Sequence, residues 1–371
     1  MLNQMDSIVL SWGYGTRNAG DVSINHGSLQ LINELLPEST PRIISRYPSQ
    51  SDELDESRLL LDNSNIQHKM IGGPFSYDPK NQSEFGQIFS LSRDGFRYAT
   101  DMLNFPKIRT KQAEMIKNAD FLLFNGGNVI HHSPHRGLVP YLPGILYPLI
   151  IAQRYDTPYG LLPQTVFNLE GYYESLVQNI LNNANFIYTR ETNTYEYLSE
   201  RKSISVPVYN GLDTTFLIDN ADVSRESLDA APSADTASIA ISPRLSELGD
   251  TSSLTSSEGS EIESYIKKYL QIVTDDDYDI WVVAQTLMEE HWVHENMEFL
   301  NGLGINVYCS RNPLKLMKFY SKCDLLLTMR LHAGIFALSQ GTPAIGIYRK
   351  EWGPKIDGTW RSLSLSKYAH S

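Results

Sequence analysis

An α/β fold in two parallel-sheet domains is what this sequence predicts, and three observations carry the prediction. Short apolar runs alternate with helical patterns in both halves of the chain, a polar stretch separates the halves, and charged residues recur where an apolar run hands over to a helix. The 371 residues exceed one ordinary domain and fit two, each long enough to bury its own core.

The first run, Ser7-Ile8-Val9-Leu10, reads as a buried strand. No basic segment followed by a long apolar core precedes it, so no signal peptide is expected. The turn from Gly13 to Asp21 follows and leads into a helical pattern from Val22 to Leu36. Its spacing is neither a Walker A loop nor a dinucleotide fingerprint. Gly15, Asn18 and Asp21 therefore read either as an anion or substrate cradle or as a tight turn with a helix cap.

Phe121–Phe124 is the next clear strand, and Asn125-Gly126-Gly127-Asn128 after it is a turn whose glycines suggest close approach of a ligand or of a backbone. His131, His132 and His135 share one predicted loop. With Pro134 among them and no carboxylate partner, they read as a sugar-facing or structural loop rather than a metal centre. The most apolar run, Leu138 to Ile151, carries three prolines and falls short of the roughly 20 residues a membrane span needs. Tyr159–Leu162 is expected to close at Pro163-Gln164, and Phe186–Tyr188 to close at Arg190-Glu191 before a helix from Thr192 to Leu198. Arg190 either pairs with Glu191 or Glu196 at the surface or binds an anion.

The polar stretch from Asp219 to Thr236 reads as a linker between an N-terminal Rossmann-like domain, 1–218, and a C-terminal one, 237–371. Strands are expected at Ala237–Ile241, Ile280–Ala284, Ile305–Tyr308, Leu325–Leu327 and Ile345–Ile347. Arg244 ends the first of these and is a further candidate for substrate binding. Leu248–Ser260 reads as a mobile loop, Asp275-Asp276-Asp277 as a solvated turn, and the segment carrying His291 and His294 as an ordinary amphipathic helix. The most informative segment lies further on. An apolar run, Leu325 to Leu327, leads through Thr328-Met329 into Arg330-Leu331-His332, a helix to Gln340, the stop Gly341-Thr342-Pro343, and the strand Ala344–Tyr348. A βαβ crossover of this kind places Arg330 and His332 at the carboxyl edge of a parallel sheet, where ligands bind in open α/β folds. Arg190 repeats that position in the first half, so the two arginines are expected to face each other across a cleft.

Composition narrows the functions. A net charge of −12 argues against a nucleic-acid surface. Cys309 and Cys323 are too few for a disulfide framework or a four-ligand zinc site, which favours a reducing, cytoplasmic compartment.

Asn18-Ala19-Gly20-Asp21, Asn125-Gly126-Gly127, Arg190-Glu191 and the block from Arg330 through Gly341-Thr342-Pro343 to Tyr348-Arg349-Lys350 together resemble the polysaccharide pyruvyl transferase family. The resemblance implies a fold like that of GT-B glycosyltransferases, with pyruvate transferred from phosphoenolpyruvate to a saccharide of the cell envelope, or its lipid-linked precursor, as a ketal. It implies that Arg330, the Leu331 backbone and His332 contact phosphoenolpyruvate with Arg190 facing them. His332 and Arg330 are then the catalytic candidates, and the scheme needs no metal or organic cofactor. A lipid-linked acceptor would bring the protein to the inner face of the membrane. Asn128 stands where an acidic residue is more usual, and the chain stops soon after Trp360. Two other readings stay open: a glycosyltransferase using a nucleotide sugar, and a non-catalytic saccharide-binding relative.

Overall fold

The computed structural model describes residues 6–47, 52–62, 67–73, 100–102, 108, 110–131, 141–167, 169, 171–201, 204–245, 256–274, 278–352 and 354–371. The chain falls into two compact units, the first made of residues 1–15 and 24–217, the second of residues 16–23 and 218–371.

The first unit holds β1 (Ile8–Gly13), β2 (Arg42–Ser45), β3 (Lys69–Ile71), β4 (Phe121–Phe124), β5 (Gly127–His131), β6 (Tyr159–Phe167), β7 (Phe186–Thr189) and β8 (Val208–Asn210). They form a parallel sheet ordered β3-β2-β1-β4-β6-β7-β8, with β5 also paired to β6. Every residue of β1 is buried, as a strand covered on both faces requires, and the core draws on Val9, Phe124, Leu161 and Ile187 with the helix Tyr141–Arg154 against it. That helix contains Pro148 and accounts for the apolar run read from the sequence. Among the described residues no helix is long and apolar enough to cross a membrane.

Two readings of this half need correction. β6 does not close at Gln164 but continues to Phe167. Pro163 has no N–H to give the ladder, and the pairing to β7 slips between Leu161 and Gln164, resuming at Gln164 beside Thr189, while Val166 and Phe167 pair with β5. The turn after β4 is only two residues long, because Gly127 already starts β5, and His131 ends that strand instead of lying in a loop. The imidazole of His131 stacks on Phe167 with ring centroids 4.8 Å apart. His132 and His135 lie outside the described residues.

The second unit holds β9 (Ser238–Ser242), β10 (Asp279–Ala284), β11 (Asn306–Cys309), β12 (Leu325–Thr328), β13 (Ala344–Ile347) and β14 (Ala369–His370), parallel and ordered β11-β10-β9-β12-β13-β14. The stretch read as a linker contributes to this unit. Asp219 caps the helix Asn220–Arg225 by accepting the Ala221 N–H at 2.8 Å, Val223 is buried, and the Lys318 ammonium donates to the Ser224 carbonyl at 2.7 Å. Of the predicted loop Leu248–Ser260, residues 256–260 begin the helix Ser256–Val273, while 248–255 and Asp275-Asp276-Asp277 lie outside the described residues. Trp360 is fully buried, its indole N–H donates to the Ala344 carbonyl at 3.2 Å, and side chains added at Gly334 or Gly346 would meet its ring. It locks the helix Leu331–Ser339 to β13.

Candidate active site

The site is built in the second unit from the end of β12. The Thr328 hydroxyl accepts the Arg330 N–H at 2.8 Å and lies 2.9 Å from the Arg330 carbonyl, which fixes the turn by which the strand becomes a helix. Arg330 is the N-cap residue, extended at φ −109° and ψ 126°, and its side chain makes no cap bond. Leu331 and His332 are therefore the first two helical residues, at the positive end of the helix, where backbone N–H groups have no intrahelical acceptor.

The Arg330 guanidinium is buried and committed on one edge. Its Nε donates to the Glu289 carboxylate, and Nη2 lies 3.5 Å from Thr286 Oγ1. Glu289 belongs to a capping box at the helix Leu287–Glu295: Thr286 Oγ1 accepts the Glu289 N–H at 3.3 Å, and Glu289 Oε2 accepts those of Gln285 and Thr286 at 3.0 and 3.1 Å. Glu289 is not among the residues the sequence points to, although Thr286-Leu287-Met288-Glu289 carries the capping-box spacing.

The glycine turn reaches the same site. Ala19 donates its N–H to the Gln285 carbonyl and Leu287 donates to that of Arg17, each at 3.0 Å, so Asn18 bridges to Thr286. Asn18 Oδ1 accepts the Gly20 N–H at 3.0 Å, and Gly20 packs so closely on His332 that a Cβ there would collide with the imidazole. Asn18, Gly20, Arg330 and His332 thus converge, while Asp21 sits partly exposed in the first turn of the helix Ala19–Leu35. Arg244 is buried with its guanidinium carbon 4.6 Å from the centre of the Trp352 ring.

The remaining candidates belong to the first unit. Gly15 is packed under the Tyr47 ring. Asn125 is fully buried and spent on its neighbours: Oδ1 accepts from Ser28 at 2.7 Å and from the Gly126 N–H at 3.0 Å, while Nδ2 donates to Asn25 at 2.8 Å. The close approach predicted at the glycine pair is made within the unit itself. A Cβ on Gly126 would lie 2.8 Å from the Pro163 carbonyl oxygen, and Gly127, at φ +135°, faces the Tyr14 hydroxyl, which donates to the Gly126 carbonyl at 2.8 Å. Gln164 donates to the Asn125 carbonyl, and its buried Oε1 has no partner among the described residues.

Arg190, at the carboxyl end of β7, is buried rather than paired at the surface. Its Nε donates to Thr165 at 2.6 Å, Nη1 donates to Asp213 at 3.1 Å, and Glu191 Oε2 lies 3.7 Å from Nε. Burial pushes the Glu191 carboxyl up, against the pull of Arg190 and the hydroxyls of Thr194 and Thr165. Asp213, at the end of Asn210-Gly211-Leu212-Asp213, was not singled out in the sequence. Among the described residues no group of three His, Cys, Asp or Glu could hold a metal ion.

Similar solved structures share the fold at low identity. The Staphylococcus aureus MnaA–UDP co-structure is 11% identical, covers 98% of this chain and 91% of that chain, and has a TM-score of 0.56. A putative UDP-N-acetylglucosamine 2-epimerase from Listeria monocytogenes is 12% identical with coverages of 98% and 88% and a TM-score of 0.55. Phytolacca americana UGT2, solved with UDP-2-fluoro-glucose and pterostilbene, is 10% identical with coverages of 99% and 85% and a TM-score of 0.52. At this identity the likeness shows two Rossmann-like domains of GT-B type and nothing of chemistry. A search of curated proteins finds no match. The family model for polysaccharide pyruvyl transferase matches residues 18–351, from the glycine turn to beyond β13, and the chain belongs to that family of transferases.

Proposed function

We propose that the protein transfers pyruvate from phosphoenolpyruvate to two hydroxyls of a cell-envelope saccharide, free or lipid-linked, as a ketal. The observation that carries the reading is the start of the helix Leu331–Ser339, where Arg330, the first backbone N–H groups and His332 gather at the carboxyl edge of β12. Phosphoenolpyruvate carries a carboxylate and a phosphate, and a planar guanidinium beside a helix N-terminus suits either group.

In this reading Arg330 and the Leu331 N–H hold the donor. His332 supplies a proton to the methylene carbon, making a methyl group and leaving C2 electron-poor. One sugar hydroxyl adds at C2 and returns a proton to His332; phosphate departs with the C2–O bond electrons; a second hydroxyl adds, gives its proton to the released phosphate and closes the ketal. An imidazole is suited to this proton traffic near neutral pH, a role typically worth about 100- to 10,000-fold in rate. Arg190 is proposed as a further anion-binding group. Asn18, Asp21, Arg244 and His132 are proposed on the substrate side, with the buried Gln164 Oε1 as an acceptor for a sugar hydroxyl, whereas Gly15, Asn125, Gly126 and Gly127 are taken up by contacts within the first unit. The reaction would take place in the cytoplasm, at the inner membrane face when the acceptor is lipid-linked.

The test is phosphate release from phosphoenolpyruvate in the presence of candidate saccharides. Release should depend on the saccharide, fall by about 100-fold or more in His332→Asn, and lose donor affinity in Arg330→Gln. Activity surviving unchanged in both variants overturns the assignment. Saturable binding of a nucleotide sugar with none of phosphoenolpyruvate overturns the reaction itself.

A further inference from the structure

We propose that Glu289 is the positioning residue of Arg330, a carboxylate clamped by a helix N-terminus that turns the guanidinium so its Nη1–Nη2 end meets the anionic donor. The inference rests on the reading above, in which Arg330 binds the donor.

The two oxygens of Glu289 divide the work. Oε2 accepts the N–H groups of Gln285 and Thr286 at 3.0 and 3.1 Å, and Oε1 faces Arg330 Nε. Nε and Nη2 share one edge of a guanidinium, so Glu289 and Thr286 together occupy that edge. No other described residue bonds the opposite end of Arg330. A capping box would be complete with Oε2 alone, and a pair taken wholly out of water is often no more stable than an apolar replacement. What the pair does supply is orientation: a fully buried carboxylate held by two backbone donors cannot rotate, and neither can the planar group bonded to it.

Glu289→Gln tests this sharply because an amide has one oxygen for two demands. Two backbone N–H groups will claim that oxygen, which turns the amide N–H groups toward Arg330 Nε, donor against donor. Phosphoenolpyruvate affinity, measured by calorimetry and titrated high enough to read weak binding, should fall at least about tenfold, or about 1.4 kcal/mol. The midpoint of thermal unfolding should fall too, because Arg330 is left buried without its counter-charge, so affinity is read on the folded protein well below that midpoint. Glu289→Asp keeps the charge but is one methylene too short to serve both partners, so it should lose affinity as well; it also serves if the first variant folds poorly. A residue acting only through Arg330 cannot matter once that side chain is replaced. Glu289→Gln should therefore cost nothing further in an Arg330→Gln background. Unchanged affinity in both Glu289 variants, or an equal loss in both backgrounds, overturns the positioning role. Undiminished affinity in Arg330→Gln alone instead removes the underlying reading of the donor site.

Discussion

A methyl group on Gly20 would collide with the imidazole of His332, and this small steric fact separates placement from stability. Alanine is intrinsically favoured over glycine in a helix by roughly 0.5–1 kcal/mol, and Gly20 lies in the first turn of the helix Ala19–Leu35. Any loss in Gly20→Ala therefore comes from the imidazole. If His332 moves the proton, turnover should drop on the order of 100-fold, while phosphoenolpyruvate affinity, carried by Arg330, stays within a few-fold of the parent. Steady-state kinetics with calorimetry on the same preparation checks it, and a variant with unaltered turnover would deny His332 its role. The two arginines show where reading single residues reaches its limit. Their strand-end positions were legible from the apolar runs before them, as was Glu191 beside Arg190, but the distant partners Glu289 and Asp213 were not. Glu289 precedes Arg330 by 41 residues and Asp213 follows Arg190 by 23, and no local pattern links such pairs.

Among the elements, those with strong apolar runs between polar breaks were legible to within a residue or two, as β4 and β12 show. β2, β3 and β8 were not, because each offers only two adjacent apolar residues beside Arg42, Lys69 or Asn210, where β4 offers four and β12 three. β5 was hidden by its own first residue. Gly127, at φ +135°, reads as a turn, yet it starts a strand because the Tyr14 hydroxyl needs the space a side chain would fill. Gly127→Ala should thus destabilise the first unit on two counts. Forcing that backbone costs about 1–3 kcal/mol, and displacing Tyr14 from the Gly126 carbonyl about 1 kcal/mol more. For a domain of this size, at about 2–4 °C per kcal/mol, the unfolding midpoint should fall by roughly 5 °C or more. Calorimetry reads the shift, and a midpoint equal to that of the parent would mean that the β4–β5 junction relaxes freely.

At the scale of the whole molecule, chain order and spatial order differ near the start. Two domains in series could be read from the alternation of runs, but not that residues 16–23 belong with 218–371. Nothing in a glycine-rich turn says which sheet it will pair with. The attachment is made by two backbone hydrogen bonds, Ala19 to Gln285 and Leu287 to Arg17, beside the Asn18–Thr286 bridge. Net contributions of about 0.5–1.5 kcal/mol per hydrogen bond make it worth roughly 1–3 kcal/mol. A fragment of residues 218–371 should accordingly be less stable than the same fragment carrying residues 16–23 on a flexible N-terminal linker, by an unfolding midpoint difference of about 5 °C for a domain near 150 residues. The linked segment should also restore protection from hydrogen exchange at the Leu287 N–H, which donates to Arg17. Equal midpoints and equal exchange in the two fragments would mean that the turn adds nothing to the second unit, and that Gly20 needs the rest of the chain to be held against His332.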